Sequence, residues 1–83
     1  MSLTVVFRES ALHTLADVRK DDKEAFARIR RATAGLADQP YPDGAKAWGG
    51  TGIYRLHVGQ ARILYEVDVA ASTVYVINIG RIS

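Results

Sequence analysis

Two arginines and a histidine between residues 53 and 67 are the side chains of this sequence best suited to chemistry. A guanidinium group binds phosphate oxygens through a planar set of donors, and an imidazole exchanges protons near neutral pH. Arg55, His57 and Arg62 fall on one face of a predicted hairpin, so their types favour a surface that binds and acts on a phosphate group.

The predicted hairpin has two antiparallel strands, because its residues alternate in polarity on both sides of Gly59-Gln60. A two-residue turn there pairs His57 directly with Arg62. One face is apolar and comprises Tyr54, Leu56, Val58, Ala61, Ile63 and Tyr65. The other face comprises Arg55, His57, Arg62, Leu64 and Glu66. A sheet packs its apolar face inward, so we expect the second face to meet solvent or a ligand.

The composition indicates one small globular domain spanning residues 1–83, with 48% hydrophobic residues. Cysteine is absent, which excludes disulfides, thiolate metal sites and cysteine nucleophiles. The sequence holds no apolar run of the ~18 residues that a membrane span needs. We therefore expect a soluble, cytoplasmic protein with no membrane partner.

The excess of positive charge lies in the C-terminal half of the chain. Residues 1–44 carry seven basic and seven acidic side chains, whereas residues 45–83 carry four basic and two acidic ones. Local fields of this kind matter more for nucleic-acid binding than the net charge of +2. A second cluster, Arg28, Arg30 and Arg31, falls in a predicted helix, where it is either a solvated face or a contact for RNA or an acidic partner.

The order of elements predicts an α+β fold, β-α-α-β-β-β. A helical hairpin is expected to pack on one face of a small, mainly antiparallel four-stranded sheet. The first strand is Leu3–Arg8, and the last is Thr73–Ile79, which is apolar on both faces and therefore interior. Residues 39–52 contain two prolines and four glycines, which predicts a long loop.

The two helices are predicted from caps and apolar stripes. Ser10 is expected to cap a helix over residues 11–20, and Asp21 with Glu24 resembles a capping box for a helix that reaches about Asp38. The first stripe is Leu12, Leu15, Ala16 and Arg19, and the second is Phe26, Ile29, Thr33 and Leu36.

Trp48 and Lys46 are the long side chains in the second half of the loop. Trp48 is expected to anchor the loop onto the core, and the alternative is a platform on which a nucleobase stacks. Lys46 either contacts a phosphate or is simply solvated.

The element order and several motifs together resemble the RelE/ParE superfamily of bacterial toxins from type II toxin–antitoxin modules. The motifs are Pro40-Tyr-Pro before Lys46-Ala-Trp-Gly-Gly, then Tyr54-Arg55-Leu56, then Gly59-Gln-Ala-Arg-Ile-Leu-Tyr65, and finally Val74-Tyr-Val-Ile-Asn-Ile-Gly80. The resemblance covers nearly the whole chain.

The resemblance implies an endonuclease that cuts mRNA on the ribosome and is neutralised by a cognate antitoxin protein. By position, Arg62 matches the arginine that binds the scissile phosphate, and Arg55 matches the arginine of the preceding strand. Lys46 and Arg81 lie at or near positions that are commonly basic and bind RNA in the family.

Cleavage in such toxins needs no metal or cofactor, because the ribose 2′-OH attacks the adjacent phosphate. The reaction needs a base, positive charge on the phosphate oxygens and an acid for the leaving oxygen. Arg62 and Arg55 are the candidates for the positive charge on the phosphate oxygens. His57 is the candidate acid or base. Glu66 is either a second base or an ion-pair partner of an arginine.

Two departures from the family pattern leave other functions open. The sequence has no tyrosine after Tyr75, where many active relatives carry one near the C-terminus, and Ala61 replaces a polar or aromatic residue that often precedes the arginine. One alternative is a ParE-like inhibitor that binds DNA gyrase without nuclease chemistry. Another is a catalytically inactive relative that only binds its antitoxin.

Overall fold

The computed structural model describes residues 2–81 and has the predicted α+β architecture. The elements are β1 (Thr4–Phe7), α1 (Glu9–Asp21), α2 (Lys23–Gly35), β2 (Lys46–Ala47), β3 (Ile53–Val58), β4 (Ala61–Asp68) and β5 (Thr73–Arg81). The sheet has the order β1-β5-β4-β3-β2, with β1 parallel to β5 and the other pairs antiparallel. The last strand is interior, as predicted, because β1 and β4 flank it.

Strand β2 adds a fifth strand to the four that the sequence predicts. It comprises two residues inside the expected loop, and it pairs with β3 through Lys46 opposite Arg55 and Ala47 opposite Tyr54. A segment this short shows no alternation of polarity, so its sequence carries no strand signal.

Both helices lie on one face of the sheet, which we call the inner face, and the core fills the space between them. The buried apolar residues are Ala11, Leu15, Val18, Ile29, Leu36, Leu56, Ala61, Ile63, Tyr65, Val67, Val74, Val76 and Ile79. The apolar face of the predicted hairpin therefore contributes to the core, as expected. The opposite, outer face of the sheet carries the polar residues of the hairpin.

Helix α1 buries a different stripe from the predicted one. Ala11, Leu15 and Val18 face the core, whereas Leu12 is 51% exposed and Ala16 and Arg19 are also exposed. The two stripes share Leu15, and their centres differ by roughly a quarter of a turn about the helix axis. The small Ala11 side chain is completely buried, with 0% exposure.

Both predicted helix caps need correction. Helix α1 begins at Glu9, and its N-cap Arg8 makes no side-chain capping bond; the hydroxyl of Ser10 instead accepts a hydrogen bond from Asn78 Nδ2 at 2.9 Å. Asp22, rather than Asp21, caps α2, since its carboxylate accepts from the Ala25 N–H at 3.0 Å. That bond satisfies one of the free N–H groups of the first helical turn.

Helix α2 ends at Gly35, three residues before the predicted end, and a turn continues to Asp38. Its predicted stripe is confirmed at Ile29, Thr33 and Leu36, which are at most 2% exposed. The Thr33 hydroxyl donates to the Ile29 carbonyl at 2.8 Å, which allows a polar side chain to lie in the core.

Tyr65 joins the sheet to the loop that follows α2. Its ring is fully buried and stacks on Tyr54 at 5.9 Å, and its hydroxyl donates to the Pro40 carbonyl at 2.7 Å. The half-exposed Tyr41 ring packs edge-on against Tyr54 at 5.1 Å. Burial, with smaller contributions from Tyr54 and Tyr41, raises the pKa of Tyr65 from 10.0 to about 12.

The two helices comprise 13 residues each, and no helix within residues 2–81 is long and apolar enough to cross a membrane.

Tyr65→Phe is expected to lower the free energy of unfolding by about 1–2 kcal/mol at neutral pH, because it leaves the Pro40 carbonyl without its partner. The folded state also holds the phenol proton more tightly than the unfolded chain does. The stabilisation from Tyr65 is therefore complete below pH 10 and is lost as the pH rises toward 12.

Denaturant unfolding as a function of pH measures both effects. From about pH 9 to about pH 12 the wild type should lose up to about 3 kcal/mol more than Tyr65→Phe does. Tyr41→Phe, at a half-exposed ring, is the matched control and should keep the wild-type pH dependence. Parallel curves for the wild type and Tyr65→Phe would contradict the assignment.

Candidate functional site

The hairpin of β3 and β4 has the register that the sequence predicts. His57 pairs with Arg62, and Arg55 pairs with Leu64. Gly59 opens the turn with φ of 59°, and Gln60 has no positive φ, which is typical of a type II′ hairpin turn. His57 and Arg62 are both exposed on the outer face, so this register makes them neighbours that are open to solvent.

The side chain of Arg62 packs over Gly80. The two residues pair across β4 and β5, and a Cβ atom placed on Gly80 would lie 3.4 Å from Arg62 Nη2 and 3.7 Å from Nε. The guanidinium therefore extends over the glycine, at ordinary van der Waals distance from where a Cβ atom would lie. The sequence gives little sign of this role, because a glycine near a strand end has several ordinary explanations.

Lys46 and Arg55 extend the positive charge toward the edge of the sheet. They pair across β2 and β3, next to the row that holds His57 and Arg62. We call Lys46, Arg55, His57 and Arg62 the cationic face.

Trp48 lies on the outer face rather than in the core, so the prediction that it anchors the loop onto the core is wrong. Its ring is 48% exposed, and the Arg55 guanidinium lies 4.1 Å from the ring centroid. Tyr65 takes the anchoring role instead, through its bond to Pro40.

Arg81 is not brought to the cationic face. It pairs with the buried Ala61 on the inner side of the sheet, and its guanidinium lies 3.9 Å from a carboxylate oxygen of Asp21. The reason is a shift in register between Leu64 and Tyr65, across which β5 has one extra residue. Such a bulge reverses the faces that follow it.

Glu66 also lies apart from Arg62. It stands on the outer face between Ile53 and Tyr75, four residues along β4 from Arg62, which corresponds to ~13 Å. The ion pairs within residues 2–81 are Arg28–Glu24 at 3.7 Å and Arg81–Asp21, so Arg62 and Glu66 do not form one.

The second basic cluster belongs to the surface of α2. Arg28, Arg30 and Arg31 are all exposed on the side of the sheet opposite to the cationic face, and Arg28 pairs with Glu24. Within residues 2–81, no three His, Asp or Glu side chains are grouped closely enough to hold a metal ion.

Comparison with known families identifies the kind of protein. Residues 5–83 match the family model described as ParE toxin of type II toxin-antitoxin system, parDE. The chain belongs to this toxin family. A search of curated proteins gave no match.

Solved toxin–antitoxin structures share the fold of this toxin. A chain of the archaeal RelE–RelB complex from Pyrococcus horikoshii OT3 superimposes with a TM-score of 0.85 at 20% identity, over 98% of this chain and 96% of that chain. A chain of the RelBE2 complex from Mycobacterium tuberculosis superimposes with a TM-score of 0.81 at 21% identity, over 98% of this chain and 92% of that chain. A chain of the chromosomal ParDE system from P. aeruginosa superimposes with a TM-score of 0.79 at 11% identity, over 99% of this chain and 98% of that chain. RelE and ParE proteins thus share one fold, which by itself does not select a cellular target.

The turn glycine that sets the hairpin register provides a test. Gly59→Ala should lower the free energy of unfolding by about 1 kcal/mol or more, because φ of 59° is unfavourable for a residue with a Cβ atom. Gly35→Ala is the matched control, since a Cβ atom there meets nothing within 4 Å and alanine favours the helix. Chemical denaturation should show opposite signs for the two variants, and equal effects would contradict the turn geometry.

Proposed function

We propose that this toxin is a ribosome-dependent mRNA endonuclease that uses attack of a ribose 2′-OH on the adjacent phosphate. The observation that carries the proposal is the direct pairing of His57 with Arg62 on an exposed sheet face. This pairing puts a proton-exchanging group beside a phosphate-binding group, and the reaction requires both.

Arg62 is assigned to the scissile phosphate. Its guanidinium extends over Gly80 and therefore lies along the sheet. A planar fork donates two hydrogen bonds to two phosphate oxygens and stabilises the negative charge that develops on them. Arg55 and Lys46 in the next row hold the flanking backbone phosphate by charge.

His57 is assigned one of the two proton transfers. As the 2′ oxygen forms its bond to phosphorus, the 2′-OH loses a proton, and the bond from phosphorus to the 5′ oxygen of the next nucleotide breaks. That leaving oxygen takes up a proton, and the products are a 2′,3′-cyclic phosphate and a 5′-OH. Glu66, ~13 Å from Arg62 along β4, is too far away to serve the same phosphate, so we leave it out of the reaction.

The proposal includes three partners and a location. The substrate is mRNA on the ribosome, in the cytoplasm. A cognate antitoxin neutralises the toxin, as the solved relatives were crystallised as RelE–RelB and RelBE complexes.

Arg62→Ala should abolish growth arrest and codon-phased mRNA cleavage when the protein is induced in cells. His57→Gln should lower the cleavage rate by a factor of about 100 or more, as expected for the loss of a general acid or base. Arg62→Lys should recover only part of the activity, because an ammonium group keeps the charge but not the planar fork. Mapping of mRNA 5′ ends after induction measures all three.

Arg31→Ala is the matched control, since it removes the same charge from an exposed position on α2, away from the cationic face. It should cleave like the wild type. Unfolding curves of all variants should agree within about 0.5 kcal/mol, because the substituted side chains are exposed. Cleavage that survives in Arg62→Ala would contradict the assignment.

Inhibition of DNA gyrase without nuclease chemistry is the second candidate. The family match favours it, because the matching model is that of ParE toxins. The absence of Arg81 from the cationic face also favours it, since that face then has one cation fewer for RNA than the sequence predicts.

Induction of the wild-type toxin separates the two candidates. The nuclease predicts new mRNA 5′ ends and no early DNA-damage response, whereas the gyrase inhibitor predicts a DNA-damage response with intact mRNA. Transcript mapping and a damage-response reporter in the same culture measure both.

A further inference from the structure

We infer that Arg8 is a further RNA-binding residue, and that it holds the second phosphate along the strand from the scissile one. This inference rests on the proposed cleavage of RNA. It adds a cation to the outer face, on the side of Arg62 opposite to Lys46 and Arg55. Arg8 lies far from the hairpin in the sequence, so neither the hairpin pattern nor the family motifs point to it.

The fold fixes Arg8 at the point where β1 ends and α1 begins. Its N–H donates to the Val76 carbonyl at 2.9 Å, which continues the pairing of β1 with β5. Its side chain is exposed, and its guanidinium lies over the Tyr75 ring, 4.3 Å from the ring centroid. Tyr75 pairs with Glu66 on the outer face. Arg8 therefore lies on the same side of the sheet as the cationic face.

The charge of Arg8 is available to a ligand. Within residues 2–81, the ion pairs are formed by other arginines. Glu66 is the pairing neighbour of Tyr75, yet the Arg8 guanidinium lies against the ring and forms no ion pair with that carboxylate. A guanidinium in contact with a ring keeps N–H donors at its edge, and the contact restricts its motion before a phosphate binds.

The guanidinium groups of Arg8 and Arg62 both lie over β5. Arg62 extends over Gly80, and Arg8 lies over Tyr75. On β4 the partners of these two β5 residues are Arg62 and Glu66, which are four residues apart, so the two rows are separated by ~13 Å. One nucleotide does not span that distance, so Arg8 does not contact the phosphate adjoining the scissile one. An extended strand reaches Arg8 with the following phosphate.

The surface between the two guanidinium groups suits an RNA strand. Leu64 and Asn78 lie there as a pair, the first partly exposed and the second exposed, and neither side chain is charged. On the other side of Arg62, the cations Arg55 and Lys46 lie on β3 and β2. The strand thus meets positive charge before and after the scissile phosphate, which is how proteins follow a nucleic-acid backbone.

Uncharged linkages in the mRNA test this contact. On programmed ribosomes, each phosphate near the cleavage site is replaced in turn by a neutral methylphosphonate, and single-turnover cleavage is measured for the wild type and for Arg8→Gln. At low toxin concentration, Arg8→Gln should lower cleavage of normal mRNA by a factor of about 10. A methylphosphonate at the second linkage on one side should lower wild-type cleavage by a similar factor, and combining the two changes should add little further loss.

The dependence on toxin concentration separates binding from chemistry. Arg8→Gln should recover the wild-type rate at saturating toxin, because Arg8 binds RNA away from the reacting atoms. Arg8→Lys should recover part of the loss, since it keeps the charge without the planar fork. Arg31→Gln is the matched control, because it removes the same charge from an exposed position on α2, on the other side of the sheet. It should cleave every mRNA like the wild type.

The outcomes distinguish this inference from the function on which it rests. If Arg8→Gln cleaves normally at low toxin concentration, or if its loss multiplies with that of every methylphosphonate, the contact is refuted while cleavage stands. A loss that persists at saturating toxin would also refute it, in favour of a structural role. If the wild type leaves ribosome-bound mRNA intact, the proposed function fails and the contact fails with it.

Discussion

The pairing of β3 with β4 is the constraint on which the rest of the structure depends. Because side chains alternate between the faces of a strand, a slip of one residue would move the whole apolar set of the hairpin to solvent. The turn at Gly59, with its positive φ, prevents that slip from one end. At the other end, Tyr54 and Tyr65 face each other across the pair and bury their rings against the loop. The same register that builds the core therefore also places His57 beside Arg62.

The two faces of the sheet have separate tasks. The inner face carries the helices and the core, and Tyr65 ties it to the loop through the carbonyl of Pro40. No helix within residues 2–81 covers the outer face, so its cations and its half-exposed tryptophan are accessible to a ligand. Exposed arginines and lysines contribute little to folding stability, and such a face is therefore able to carry charge for binding at small cost to the fold.

The register and the two faces of the hairpin can be predicted from the sequence, and the predictions that are wrong have physical causes. The turn dipeptide and the strict alternation of the hairpin determine its register locally. The stripe of α1 was predicted wrongly because two stripes share Leu15, and only contact with the sheet selects the one that includes Ala11 and Val18. The side occupied by Trp48 depends on a strand of two residues, which has no periodicity of its own. The face of Arg81 depends on a bulge near Leu64, and the use of Gly80 depends on a neighbouring strand; both are tertiary effects.

The chemical nature of the RNA ends tests the central claim most directly. If His57 and Arg62 act together on one phosphate, mRNA cut by the purified toxin on programmed ribosomes carries a 2′,3′-cyclic phosphate on the upstream fragment and a 5′-OH on the downstream fragment. Resistance of the upstream end to ligation and ready phosphorylation of the downstream end by a polynucleotide kinase would show this. A 3′-OH paired with a 5′-phosphate, or mRNA left intact by the wild type, would contradict it.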